Sequence, residues 1–161
     1  MKRIKLDSQD SSTFNDRGSV LYQLGDLKGA LVDFSKAIEL EPQSAAGYYN
    51  RGNIHRETGN IDAAISNWTG AIRFDPLLTN AYYNRGIARY AKGELTLADA
   101  DFTKVISLNP QHGAAYNNRG ITRFLSGDSA RACEDFKQFL QLKPEDPQAA
   151  ATRKFMQEHC I

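Results

Sequence analysis

The sequence predicts an all-α fold made of four repeated helical hairpins, and three observations predict it. Four of the five prolines, Pro42, Pro76, Pro110 and Pro144, stand 34 residues apart. Eight of the twelve glycines keep the same step: Gly18, Gly52, Gly86 and Gly120, then Gly25, Gly59, Gly93 and Gly127. Two aromatic rows follow it, Phe14/Tyr48/Tyr82/Tyr116 and Phe34/Trp68/Phe102/Phe136, as do Ala30, Ala64, Ala98 and Ala132. Self-similarity at such a period marks a repeat architecture. The units are 11–44, 45–78, 79–112 and 113–146, with no insertion between them.

Within a unit the spacing is helical. In 79–112, Tyr82, Gly86 and Tyr90 lie four apart and share one helix face. Gly93-Glu94 interrupts. Ala98, Phe102, Val105, Ile106 and Leu108 resume a helical period, which Asn109-Pro110 stops because proline pushes its predecessor out of helical geometry. Each unit therefore reads as two helices of about 13 residues. The turns Gly25-Asp26, Gly59-Asn60 and Gly127-Asp128 pair a residue suited to left-handed backbone with an N-cap side chain. Gly93-Glu94 is the weaker variant, because Glu caps poorly. Gly86 and Ala98 are small where two helices approach closely. Trp68 and Phe136 belong to the core.

The last segment, 147–161, reads as a capping helix. Asp146 suits its N-cap, Pro147 its first position, and Ala150, Ala151, Phe155 and Cys160 make an apolar stripe. Residues 1–10 are polar and aperiodic and read as a flexible arm.

Composition bounds the function. With 20 Lys+Arg, 19 Asp+Glu and a net charge of +1, the chain lacks the cationic excess that nucleic acid or an acidic membrane surface requires. No apolar run approaches the roughly 20 residues of a membrane span. The start, Met1 to Asp7, is basic without a following apolar stretch, unlike a secretory signal. These features predict a cytoplasmic chain without membrane insertion. The histidines His55, His112 and His159 lie in different segments without metal-site spacing, and there is no phosphate loop or nucleophile elbow. No enzyme chemistry, cofactor or metal is expected. Cys133 sits among inward positions and reads as a structural thiol. Its pairing with Cys160 is the less favoured alternative in a reducing compartment. The sequon Asn67-Trp68-Thr69 is discounted because Trp68 is a core position.

The step of 34, the order aromatic–Gly–Gly–Ala–aromatic–Pro, and the segments "YYNRG" (48–52, 82–86) and "YNNRG" (116–120) resemble tetratricopeptide repeats over residues 11–146. The resemblance is to the family rather than to one member. It implies a right-handed α-solenoid of stacked hairpins, with first helices lining a concave groove that binds a protein or peptide. It also implies that places two, five, six, nine, twelve and thirteen of each first helix face that groove. The candidate site residues so placed are Tyr49, Asn50 and Asn53; Tyr83, Asn84, Ile87 and Tyr90; and Asn117, Asn118 and Ile121. Recurring Asn amides each offer a donor and an acceptor to a peptide backbone, and Tyr adds rigid contact area. The row turns apolar toward Ile121, Phe124 and Leu125, so the expected ligand is a neutral to partly apolar peptide or helix. The carboxylate clamp of chaperone-tail binders, a subtype of the family, is missing. Asn15, Ser19, Asn50, Tyr83 and Ile87 stand at its places, and only Asn50 agrees.

Arg17, Arg51, Arg85 and Arg119 occupy the place where the family usually has Leu, in step with Asp33, Asn67, Asp101 and Asp135. Structural pairs between the two helices are the favoured reading, and an anion-binding ladder is the alternative. Asp99 is expected to pair with Arg89. Two further functions stay open: self-assembly into a homo-oligomer through terminal faces, and recruitment of substrates for a larger enzyme.

Overall fold

The computed structural model describes residues 10–160, so the arm proposed at 1–10 lies, except for Asp10, outside the described residues. Every regular element among them is an α-helix, in two compact units. The first unit holds α1 (Ser11–Gln23), α2 (Leu27–Leu40), α3 (Ala45–Glu57) and α4 (Ile61–Phe74). The second holds α5 (Thr79–Ala91), α6 (Leu95–Leu108), α7 (Gly113–Leu125), α8 (Ser129–Leu142) and α9 (Ala149–His159). Hairpin mates α1/α2, α3/α4, α5/α6 and α7/α8 pack along their lengths, and α2 packs on α3 and α6 on α7.

The punctuation follows side-chain chemistry. Gly25, Gly59, Gly93 and Gly127 hold φ between 78° and 87°, a left-handed backbone that lets each hairpin turn without strain. Asp26, Asn60 and Asp128 then accept from the backbone N–H of Gly29, Ala63 and Arg131, whereas Glu94 makes no side-chain cap. Residues preceding proline close the second helices: Glu41, Asp75, Asn109 and Lys143 leave the helical region with ψ of 87°, 91°, 90° and 60°. Asp10 caps α1 through the N–H of Ser12. The capping helix starts later than its sequence suggests. Asp146 accepts from the N–H of Gln148, and the helix begins only at Ala149.

Each hairpin core is one aromatic against one glycine. In the first unit Trp68 is fully buried, and a Cβ on Gly52 would lie 2.7 Å from its Nε1. In the second, a Cβ on Gly86 would lie 2.9 Å from Cε1 of Phe102. The helices approach there as closely as backbone allows, which outweighs the roughly 1 kcal/mol that Gly costs a helix. Ala30, Phe34 and Ile54 form a further cluster of the first unit, and Phe136 and Phe139 are buried in the second. Asn67 is buried at 7% exposure, as its core neighbour Trp68 implied.

His112 is a cap that titrates. Its unprotonated Nδ1 accepts from the N–H of Ala115 at 3.2 Å, closing the start of α7. Burial holds its pKa below the ordinary histidine value, and the charge of Lys143 adds to this. A histidine with a depressed folded pKa contributes stability that is present above its unfolded pKa and is lost as pH falls through the folded one. Acidification from about pH 8 to pH 5 is therefore expected to loosen α7. His112→Asn, a neutral cap, should remove that part of the acid sensitivity in denaturation curves taken across the range.

Candidate functional site

The four arginines of the seventh place are structural. Arg85 pairs bidentately with Asp101 at 3.0 and 2.7 Å, and Arg119 with Asp135 at 2.9 and 2.6 Å. Arg17 pairs with Asp33 at 2.6 Å, but its side chain is 62% exposed, so this pair contributes little. Arg51 meets a neutral partner, Asn67 Oδ1, at 2.7 Å. Each guanidinium also lies over the aromatic ring three residues earlier, Phe14, Tyr48, Tyr82 or Tyr116, at 5.2–5.7 Å. That double engagement, side-chain oxygen and ring face, explains an arginine where a leucine would otherwise fill space.

The expected Asp99–Arg89 pair does not form. Arg89 turns to the buried Asp101 at 2.8 Å, and Asp99 takes Arg123 of α7 at 2.6 Å. Arg123 also reaches Asp135 at 2.9 Å, so Asp135 holds two guanidinium groups. Asp101 and Asp135 are buried carboxylates that draw the nearest cations, leaving the more exposed Asp99 for the neighbouring helix.

The first-helix faces carry the candidate site, and within each unit a rule links one first helix to the next: residue n bonds residue n+35. In the first unit, Asn50 donates from Nδ2 to Oδ1 of Asn15 at 3.3 Å, and the hydroxyl of Tyr22 donates to Glu57. In the second, Asn118 donates to the hydroxyl oxygen of Tyr83 at 3.2 Å. Place five of one repeat thus holds place six of the next. Among the described residues, Asn50 and Asn118 each retain a carbonyl oxygen and a second N–H, on half-buried side chains. Asn53 is partly engaged, since its Oδ1 accepts from Nε1 of Trp68 at 3.2 Å. Tyr49 and Asn84 are half-buried. Tyr83 meets His112 at a tilt of 44° with ring centroids 4.7 Å apart, and burial pushes its hydroxyl pKa upward.

The amide of Asn117 is taken up by the capping helix and is not left for a peptide backbone. The residue is 3% exposed, donates to Oε1 of Gln148 at 2.7 Å and accepts from the hydroxyl of Thr152 at 3.4 Å. The capping helix α9 sits where a further first helix would, so the n+35 rule runs from Asn117 to Thr152.

Ile87 and Tyr90 are exposed and, with Phe102, Asn118 and Ile121, line a depression of about 230 Å³. Tyr90 and Ile121 also line an adjoining cavity of about 480 Å³, completed by Phe124, Leu125, Phe136, Asn117 and the α9 residues Gln148, Ala151, Thr152 and Phe155. Ala151 and Phe155 belong to the apolar stripe expected of the capping helix, whereas Gln148 and Thr152 lie outside it. Among the described residues, no group of three or more His, Cys, Asp or Glu is arranged to hold a metal ion. No helix among them is long and apolar enough to cross a membrane.

Cys133 is not a free thiol. It forms a disulfide with Cys160, with Cα atoms 5.7 Å apart, and so joins α8 to the end of α9. The expectation of an unpaired structural cysteine missed this because helix packing, not repeat spacing, brings the two together.

Family models for the TPR repeat match residues 18–58 and 52–93, and a tetratricopeptide repeat model matches 83–147. The chain belongs to the tetratricopeptide repeat family. Its all-α solenoid of helix-turn-helix repeats is shared by solved members. MamA is 26% identical with a TM-score of 0.80, over 89% of this chain and 84% of that one. PilF of Pseudomonas aeruginosa is 20% identical with a TM-score of 0.76, over 92% and 69%. The first tetratricopeptide module of Spaghetti (RPAP3), bound to the HSP90 peptide SRMEEVD, is 24% identical with a TM-score of 0.70, over 77% and 98%. No curated protein matches the sequence. In this tetratricopeptide array the arginine at place seven, stacked and paired within its own hairpin, is the main departure from the family's usual apolar residue.

Proposed function

We propose that the chain is a non-enzymatic protein-interaction module whose first-helix faces bind a neutral to partly apolar peptide or helix. The observation that supports it is the pair Asn50 and Asn118. Each is oriented by a bond to the preceding first helix and keeps an acceptor and a donor for a peptide backbone. Tyr83, Ile87, Tyr90 and Ile121 add contact area beside Asn118. The RPAP3 module binds a peptide rich in carboxylates. This chain has Asn15, Ser19, Asn50, Tyr83 and Ile87 at the clamp places, so an uncharged ligand suits it better.

Peptides selected from a random display library test the reading. Asn118→Ala should weaken the binding of peptides seated on the second unit about fivefold, at unchanged helix content, since a lost backbone bond costs about 1 kcal/mol; Asn50→Ala should do the same for peptides seated on the first. Equal binding by both variants overturns it.

A cytoplasmic location is part of the proposal, and the disulfide makes it testable. A reducing cytosol keeps thiols free, whereas an oxidising compartment preserves the bond. Alkylation of intact cells before lysis distinguishes labelled from blocked Cys133. Self-assembly is the second reading, favoured by Val20, Leu24 and Val32, which are 54%, 77% and 67% exposed in the first hairpin. Light scattering that rises with concentration supports it, and a constant monomer mass excludes it.

A further inference from the structure

The 480 Å³ cavity of the second unit has two kinds of wall. Tyr90, Ile121, Phe124 and Leu125 come from the repeats, whereas Ala151 and Phe155 come from α9. No charged residue lines it. Its polar members answer one another, since Asn117 bonds both Gln148 and Thr152. An occupant therefore needs no polar atom, and the volume is ample for a large apolar side chain.

The start of α9 is held on α7 by the buried bonds of Asn117 to Gln148 and Thr152, so the disulfide bears on its other end. Gln148 supplies no side-chain cap, and α9 packs chiefly on α8. Phe155 meets Phe124 and Phe136 edge-on at 4.7 and 5.3 Å, and His159 lies over both Phe124 and Phe155. Directly beyond His159, Cys160 is bonded to Cys133. The disulfide thus fixes the end of α9 that positions this aromatic cluster. It is also reachable: both cysteines are half-buried and border a surface cleft of about 370 Å³ with Ser129, Glu134, Lys137 and His159.

We propose that the Cys133–Cys160 disulfide is a redox-controlled clasp on this cavity, which in the oxidised protein receives one large apolar side chain of the bound peptide. The inference rests on the peptide-binding reading and adds its regulation. Reduction proceeds by exchange with a dithiol. One thiolate attacks a cysteine Sγ, the other cysteine leaves as a thiolate and is protonated, and the second thiol of the reductant resolves the mixed disulfide. Two electrons and two protons pass to the protein, and the dithiol becomes a disulfide. The end of α9 is then released, and Phe155 no longer holds the far wall.

Two measurements on the full chain test this, each made oxidised and after dithiothreitol. Amide hydrogen exchange over 149–160 is expected to rise about tenfold or more on reduction, while α5 and α6 stay unchanged. Binding of N-acetyl-leucinamide, followed by the methyl NMR signals of Ile121 and Leu125, is expected to weaken at least about threefold. Cys133→Ser/Cys160→Ser should match the reduced protein and ignore the reductant; wild-type reduction alone carries the test if that variant folds poorly. Equal exchange in both states, or equal probe affinity, overturns the clasp. Peptide binding that fails in both states, with the α9 response intact, overturns the peptide reading instead.

Discussion

Trp68→Ala is expected to lower the stability of the chain by about 3–5 kcal/mol, measured by chemical denaturation. Trp68 has no exposed surface, packs against the bare backbone of Gly52, and donates its indole N–H to Asn53. Truncation removes the largest buried side chain of the first unit and opens a cavity that α3 and α4 cannot close without losing register. A domain of this kind has only about 5–15 kcal/mol in reserve, so the variant should stand near its unfolding threshold. Trp68→Phe retains most of the ring volume and should lose less. A loss below about 1 kcal/mol for the alanine variant would contradict the assignment of Trp68 as the centre of that hairpin.

Asp135→Ala is expected to cost a similar amount, about 3–5 kcal/mol, for a different reason. The carboxylate accepts from Arg119 twice and from Arg123 once, and both guanidinium side chains are nearly covered, at 12% and 14% exposure. Removing it leaves Arg119 without its carboxylate and Arg123 with Asp99 alone, in a poorly hydrated place. Asp33→Ala makes the control, because Arg17 can return to water. The account expects the Asp135 variant to lose several-fold more stability than the Asp33 variant. Equal losses would mean that burial of the guanidinium groups does not set the cost.

The hairpins were legible because every repeat states them again: proline stops, turn glycines and aromatic rows recur in one register. The weak cap at Glu94 was legible for the same reason, since one departure stands out against three agreeing turns. The Arg rows were also readable as pairs, because the acids recur in step. What the register could not reveal are contacts made once. Asp99 looked suited to Arg89 by spacing, but the buried Asp101 takes Arg89 and an arginine of the next hairpin takes Asp99. Asn117 has the same place as Asn15 and Tyr83, yet α9 covers it. Cys160 lies beyond the last repeat, so no period pointed to its bond with Cys133. Among the candidate residues, Asn50 and Asn118 have a place in the register that also explains their orientation.

The central claim is that the first helices read other polypeptides. Its most direct measurement is NMR mapping of a display-selected peptide on the oxidised, isotope-labelled chain. The account predicts that the side-chain amide of Asn118 and the methyls of Ile87 and Ile121, which line one depression of the second unit, shift together on binding. Shifts confined to exposed residues of the second helices, such as Val32 and Leu97, would contradict it.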